Sequence, residues 1–193
     1  MPTITVEPAT PDRFDDAQRA LTGGGDGRVC QCQWWTITNA EYQRSEPRER
    51  EQMLRREIDD GPPPALVAYV DGQAAGWVRV GPRAPLRRLV RTREIIGATR
   101  EPLGDATVWS VSCFVVRKQY RGMALMSALL DAALAHARAA GARIVEAYPI
   151  DPANASRSGA DQLYRGVLSV FLDAGFSEVA RPKPDRALVI LEL

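Results

Sequence analysis

The period of apolar positions changes repeatedly along this chain, and each change marks an element. Ile4-Thr5-Val6 alternates and predicts a short edge strand. Residues 12–21 have helical composition, and Gly23-Gly24-Gly25 stops them. Residues 46–58 are charged helix formers with Met53, Leu54 and Ile58 at apolar spacing, ended by Gly61-Pro62-Pro63-Pro64. Two β-rich runs at 65–70 and 74–80 flank Asp71-Gly72, a dipeptide suited to a type I′ turn, and predict a hairpin. Gly76 inside the second run predicts a bulge or a close approach by other backbone. Residues 81–105 are irregular, with a short helix expected around 86–95. A central strand follows at 107–116. The next helix begins near Gly122, carries Met126, Leu129, Leu130, Ala133 and Ala137 on one stripe, and meets a C-terminal stop at Gly141. Residues 143–148 predict a strand, and 160–174 a helix closed by Gly175. Residues 176–180 and 187–191 predict a hairpin with Arg181-Pro182-Lys183-Pro184-Asp185-Arg186 as its loop. The order β-α-α-β-β-β-α-β-α-β-β is that of a mixed α/β domain.

Composition narrows this picture. A chain of 193 residues, 45% hydrophobic and 25% charged, suits a single soluble globular domain over 1–193. A net charge of +1 gives no support to a general nucleic-acid partner. No apolar run approaches the ~20 residues that span a bilayer, and no basic segment followed by an apolar one opens the chain. No membrane partner and a cytoplasmic location are therefore expected. Cys30, Cys32 and Cys113 are an odd number, and free thiols suit a reducing compartment.

The stretch from 108 to 134 carries the chemistry. An apolar strand runs into Arg117-Lys118-Gln119-Tyr120-Arg121-Gly122, and an amphipathic helix starts at once. The first N–H groups of a helix have no partner within it, and its dipole favours negative charge there, so this junction predicts a phosphate site. Arg117, Lys118 and Arg121 add cations.

Gln119-Tyr120-Arg121-Gly122-Met123-Ala124 resembles the signature R/Q-x-x-G-x-G/A of the GNAT N-acetyltransferases. The longer form V-x-P-x-Y-R-G-x-G/A is matched from Val116, with Lys118 in place of proline. Gly175-Phe176 sits where that family carries G-F after its last helix, so the resemblance covers 65–191. It implies a mostly antiparallel mixed sheet flanked by helices, with strands splayed at a coenzyme A site. It also implies acetyl-coenzyme A as donor substrate, without a metal. Gln119, Tyr120, Arg121, Gly122, Met123 and Ala124, together with Lys118, would receive the pyrophosphate. Phe114, Val115 and Val116 would pair with the pantetheine arm, and an N–H near Val116 would meet the thioester carbonyl. The acceptor would be a primary amine of a small molecule, attacking directly in a ternary complex. A protein or peptide amine is the alternative, and a non-catalytic coenzyme A sensor is another. A homodimer is left open.

A base is needed to take the amine proton. Glu146, a carboxylate in the apolar run Val145-Glu146-Ala147-Tyr148, is the first candidate, because burial would raise its pKa. Asp151, Ser110 and Ser112 are weaker ones. Many family members place a tyrosine acid four residues before the glycine of G-F; here that place is Phe171, which has no proton to give. Tyr164, two turns earlier on the predicted helix, is the substitute. Cys30-Gln31-Cys32-Gln33-Trp34-Trp35 offers two thiolates, but only Cys113 and His136 remain to complete a zinc site, so zinc is not expected. In the family this segment lines the acceptor site, so Trp34 and Trp35, with Tyr148, are the candidate acceptor-binding residues. The motif, with V-E-A-Y-P-x-D, resembles a bacterial GNAT subgroup whose substrates the resemblance does not supply. The arginines of 81–105 read as a solvated face, or else as a lid favouring an anionic acceptor.

Overall fold

A computed structural model describes residues 2–23, 25–154 and 160–193, the last stretch by backbone alone at 160–162. Its centre is a seven-stranded sheet: β1 (Ile4–Pro8), β2 (Ala65–Val70), β3 (Gln73–Pro82), β4 (Val108–Val116), β5 (Ile144–Ala147), β6 (Ser177–Lys183) and β7 (Arg186–Glu192). The strands lie in the order β1-β2-β3-β4-β5-β7-β6. Every neighbouring pair is antiparallel except β4 with β5. This is the mixed, mostly antiparallel sheet flanked by helices that was expected.

Helix α6 (Leu125–Ala139) covers one face through Leu125, Leu129, Leu130, Ala133 and Ala137, which pack on Val78, Val80, Val111 and Phe114. The other face is covered by α1 (Phe14–Leu21) and α4 (Pro47–Asp60), whose Phe14, Leu21, Leu54 and Ile58 enclose Trp77. Between α1 and α4 run two short helices, α2 (Gly27–Cys30) and α3 (Asn39–Arg44). The irregular 81–105 segment forms a third cluster. Its α5 (Arg93–Ile96) and a 3-10 turn at Leu89–Arg91 bury Leu86, Leu89 and Ile95 against Trp35, Tyr148 and Leu188. No helix among the described residues is long and apolar enough to cross a membrane.

Local chemistry explains the turns. Asp71 and Gly72 both have positive φ, 48° and 76°, the type I′ requirement. Beside Gly76 the β2–β3 register skips one residue, and a Cβ on Gly76 would sit 3.1 Å from a Leu129 methyl. The bulge and the close approach occur together.

Two expectations are corrected. The predicted helix over 160–174 is broken: a 3-10 segment at Ala160–Arg165 precedes α7 (Leu168–Asp173). Gly166 between them has φ +82°, and Val167 bridges to Ile150. A side chain at Gly166 would meet the Phe171 ring at 2.6 Å, so the break allows Phe171 to enter the core. The β6–β7 connection is not a long loop either. Lys183 pairs with Arg186 around Pro184-Asp185, and register shifts in β6 absorb Pro182 on this edge strand.

The feature that positions the site lies in the middle of the sheet. β4 and β5 pair from Val108–Ile144 only to Val111–Ala147. At the next residue the β3–β4 register passes from Val80↔Val111 to Arg79↔Cys113, leaving Ser112 as the extra residue of a bulge. A bulge bends and twists its strand, so the second half of β4 leaves β5 and a gap opens between them.

Candidate active site

A cleft of about 830 Å³ follows the open half of β4, lined there by Cys113, Phe114, Val115 and Val116. It begins at the turn leading into α6, with Tyr120, Arg121, Gly122 and residues 124–127. It continues past Asp26, Gly27, Cys30 and Cys32 to Trp34, Trp35, Tyr42, Tyr164, Arg165 and Arg186.

The turn is built to receive an anion. The N–H groups of Lys118, Tyr120 and Arg121 are used internally, on the carbonyls of Gly23, Arg117 and Lys118. From residue 122 to 127 the N–H groups have no acceptor among the described residues; the ladder resumes with Ala128 donating to the Ala124 carbonyl at 3.1 Å. Gly122 (φ +81°) and Ala124 (φ +54°) are left-handed, so the chain folds into a concave row of donors. A non-glycine residue in that region is strained, and such strain is concentrated at ligand sites. The row stands at the positive end of a helix of 15 residues. The free row therefore shares 122–124 with the expected 119–124 and extends on to 127. Lys118, Gln119 and Met123 are not in the cleft wall, whereas Leu125, Met126 and Ser127 are.

The other end of the cleft is aromatic and cationic. Trp35 is buried and its indole N–H donates to the Ser112 carbonyl at 3.1 Å, filling the gap where β5 departs. Trp34 packs edge-on against Tyr42, with the Arg88 guanidinium 3.7 Å from its ring centre. Arg165 lies 4.9 Å over Trp35, and its Nε donates to the Tyr164 hydroxyl at 3.1 Å. Burial pushes the Tyr164 phenol up, so it keeps its proton near neutrality; burial also lowers the Arg165 pKa. Tyr164 thus stands on the 3-10 segment, not on the helix that carries Phe171. Phe171 is core, stacked edge-on with Phe114 and Phe176.

The thiols are buried beside this arm. Trp77 donates its indole N–H to Cys32 Sγ at 3.1 Å. Burial opposes a Cys32 thiolate, but the Cys113 hydrogen bond, the Arg79 guanidinium and Trp77 outweigh it and lower the thiol. Cys113, which supplies that hydrogen bond, is pushed well up. No group of metal-ligating side chains is assembled among the described residues.

Glu146 is not in the cleft. Both it and Arg83 are 0% exposed and are paired at 2.7 Å. Thr99 and Tyr148 also donate to the carboxylate, at 2.5 and 2.9 Å. Its oxygens are committed to this network, which ties the 81–105 segment to β5, and none faces a substrate. Tyr148 belongs to the same network and is likewise absent from the cleft wall; burial, then Glu146, pushes its phenol well up. Asp151 is ion-paired to Arg181 at 2.8 Å, and Ser110 and Ser112 are buried outside the cleft wall.

A family model described as "Acetyltransferase (GNAT) family" matches residues 32–165. The chain belongs to that family. No curated protein matches it by sequence. Among solved structures it resembles a ribosomal-protein-alanine N-acetyltransferase from Brucella melitensis at 19% identity and a TM-score of 0.57, covering 98% of this chain and 99% of that one. The PaiA N-acetyltransferase of Thermoplasma acidophilum, solved with coenzyme A, aligns at 12% identity and a TM-score of 0.56, with 99% of each chain covered. YncA of Salmonella typhimurium, solved with acetyl-coenzyme A, aligns at 17% and 0.54, covering 98% of this chain and 94% of that one. At such identities these likenesses concern the fold.

GNAT enzymes transfer an acyl group from an acyl-coenzyme A, and the residues present fit that donor. Free N–H groups at 122–127 and Arg121 suit a diphosphate, and the unpaired edge of β4 suits an amide-bearing arm. Sequence reading missed Asp26, Tyr42, Ser127, Arg165 and Arg186 as cleft residues. Ser127 alone had a signal, one turn into the signature helix; the others reach the cleft only through the tertiary fold.

Proposed function

We propose that this GNAT enzyme transfers the acetyl group of acetyl-coenzyme A to a primary amine of a small molecule, by direct attack in a ternary complex. The observation that carries this reading is the continuity of the cleft. The unspent N–H row at 122–127 leads along the open edge of β4 into an arm walled by Trp34, Trp35, Tyr42 and Tyr164. An arm walled by aromatic rings suits a small acceptor better than a folded protein surface.

In this reading the N–H row and Arg121 hold the pyrophosphate, and residues 114–116 hold the pantetheine amides. The acceptor nitrogen attacks the thioester carbon, the C–N bond forms and the C–S bond breaks. A backbone N–H near Val116 stabilises the developing oxyanion. Tyr164, neutral because of its burial, donates a hydrogen bond to the departing thiolate. With Glu146 committed elsewhere, the amine proton leaves to water in the open cleft, and positioning supplies most of the rate.

Calorimetric titration with acetyl-coenzyme A and a thiol-release assay over small amines and peptides test the proposal. Expected are saturable donor binding, stabilisation of about 2.7 kcal/mol at a hundredfold excess over Kd, and faster turnover of small amines than of peptides. An absence of donor binding overturns it, and faster peptide turnover overturns the choice of acceptor.

A further inference from the structure

The three arginines that are buried among the described residues, Arg50, Arg79 and Arg83, all have oxygen partners. Arg79 is ion-paired to Glu57 and Arg83 to Glu146. Arg50 donates to the carbonyls of Val29, Tyr42 and Ser45. Arg165 is half-buried in the cleft wall, and no carboxylate pairs with it among the described residues. Its one hydrogen bond runs from Nε to the neutral Tyr164 hydroxyl, which leaves Nη1 and Nη2 without partners among those residues. The Trp35 ring beneath it and Tyr164 beside it fix the guanidinium plane. A guanidinium drawn partly out of water without an ion pair favours an anionic ligand, and a fixed guanidinium fork matches a carboxylate in bidentate fashion.

The donor does not supply that anion. Its phosphates belong at 122–127, while Arg165 sits on Trp35, which is anchored at Ser112. The four residues from Ser112 to Val116 span roughly 13 Å of strand. Among the described residues, the only carboxylate in the cleft wall is Asp26, which is exposed. Arg186, also in the wall, is paired to Asp185 at 3.5 Å.

We propose that the amine acceptor carries a carboxylate, received by the Nη1 and Nη2 groups of Arg165, and an apolar or aromatic body seated on Trp34, Trp35 and Tyr42. Its class is that of a free amino acid with an apolar or aromatic side chain. This inference rests on the acetyltransferase reading and names its acceptor.

The test compares matched probes that differ only in the carboxylate. Phenylalanine and leucine are assayed against their amides as acceptors, and the corresponding N-acetyl acids against N-acetyl amides as ligands of the coenzyme A-loaded protein. The acids should be favoured about tenfold or more, both in kcat/KM and in calorimetric Kd. Arg165→Gln should bring acid and amide to parity, and Arg165→Lys should retain part of the preference. Both variants should bind acetyl-coenzyme A within about twofold of the parent, which also shows that they are folded. Parity in the parent protein, a preference that survives Arg165→Gln, or no binding of the N-acetyl acids overturns the inference while the donor reading stands. Failure to bind acetyl-coenzyme A at all is a different result and removes the donor reading together with this one.

Discussion

Glu146 and Arg83 illustrate how much a single buried pair asks of its surroundings. Two charges with 0% exposure are tolerated because Thr99 and Tyr148 complete the carboxylate's hydrogen bonds. Removing one partner of such a pair costs about 3–5 kcal/mol. Glu146→Ala should therefore lower stability by that amount in urea denaturation. Because Glu146 touches no part of the cleft, Glu146→Gln should leave the shape of the pH–rate profile unchanged; a lost basic limb would return the residue to the chemistry. A carboxylate in an apolar strand was visible as a buried acid. What claims it was not, since Arg83 lies 63 positions away along the chain. Arg165 was missed for a related reason. It is an ordinary arginine until Gly166 turns the chain, and only the fold lays it over Trp35.

Elements were legible where local pattern and tertiary demand agree. The hairpin at Asp71-Gly72, the strand at β4 and the stripe of α6 all follow from period and turn chemistry. The helix over 160–174 failed because Gly166 trades helical continuity for the placement of Phe171. Helix α3 had no apolar period to announce it. It is fixed by a capping box in which Thr38 accepts from the Glu41 N–H and Glu41 accepts from the Thr38 N–H. Those Thr38 hydrogen bonds first, and Arg87 after them, hold the Glu41 carboxyl down at about 2. A depressed carboxyl pKa favours the folded state above the ordinary value and loses that contribution as pH falls toward about 2. α3 also carries Tyr42 into the cleft wall, so acidification below about pH 4.5 should loosen this wall. The check is a Glu41 side-chain NMR titration followed alongside Tyr42 ring signals. Thr38→Ala should cost about 1 kcal/mol and raise the acceptor KM more than the donor KM. At the start of α6, Gly122→Val adds a β-branched side chain at φ +81°, in the cleft wall. Acetyl-coenzyme A should then bind at least about tenfold more weakly by calorimetry, through strain and lost close approach.

At the scale of the whole molecule, one sheet does two tasks. Its β1–β4 half is sandwiched between α6 and the α1–α4 layer, and the two core clusters meet at β3 and β4. Its β5–β7 half supports the 81–105 segment through the third cluster. The cleft is the seam between the halves, opened by one extra residue at Ser112. The free N–H row at the start of α6 could be anticipated from strand–turn–helix chemistry, and the mostly antiparallel sheet from the family resemblance. The aromatic arm of the cleft could not, because its wall is assembled from α2, α3, the 160–165 turn and β7, segments far apart in the chain. Trp35 joins these parts through the Ser112 carbonyl. Trp35→Phe, which removes the donor and part of the buried ring volume, should lower stability by about 1–3 kcal/mol or more, from the unsatisfied carbonyl and the space left behind, and reduce kcat/KM for the acceptor.

The donor row at 122–127 has a kinetic consequence. In the proposed reading it grips the diphosphate, which is the same before and after the acyl group departs, so its contribution is equal for reactant and spent carrier. An enzyme anchored this way is throttled by its own product. Free coenzyme A should compete with acetyl-coenzyme A, with an inhibition constant within a few fold of the donor's Kd in initial-rate experiments. The turnover rate would then follow the ratio of charged to uncharged carrier, and the protein would act only when acetyl units are abundant.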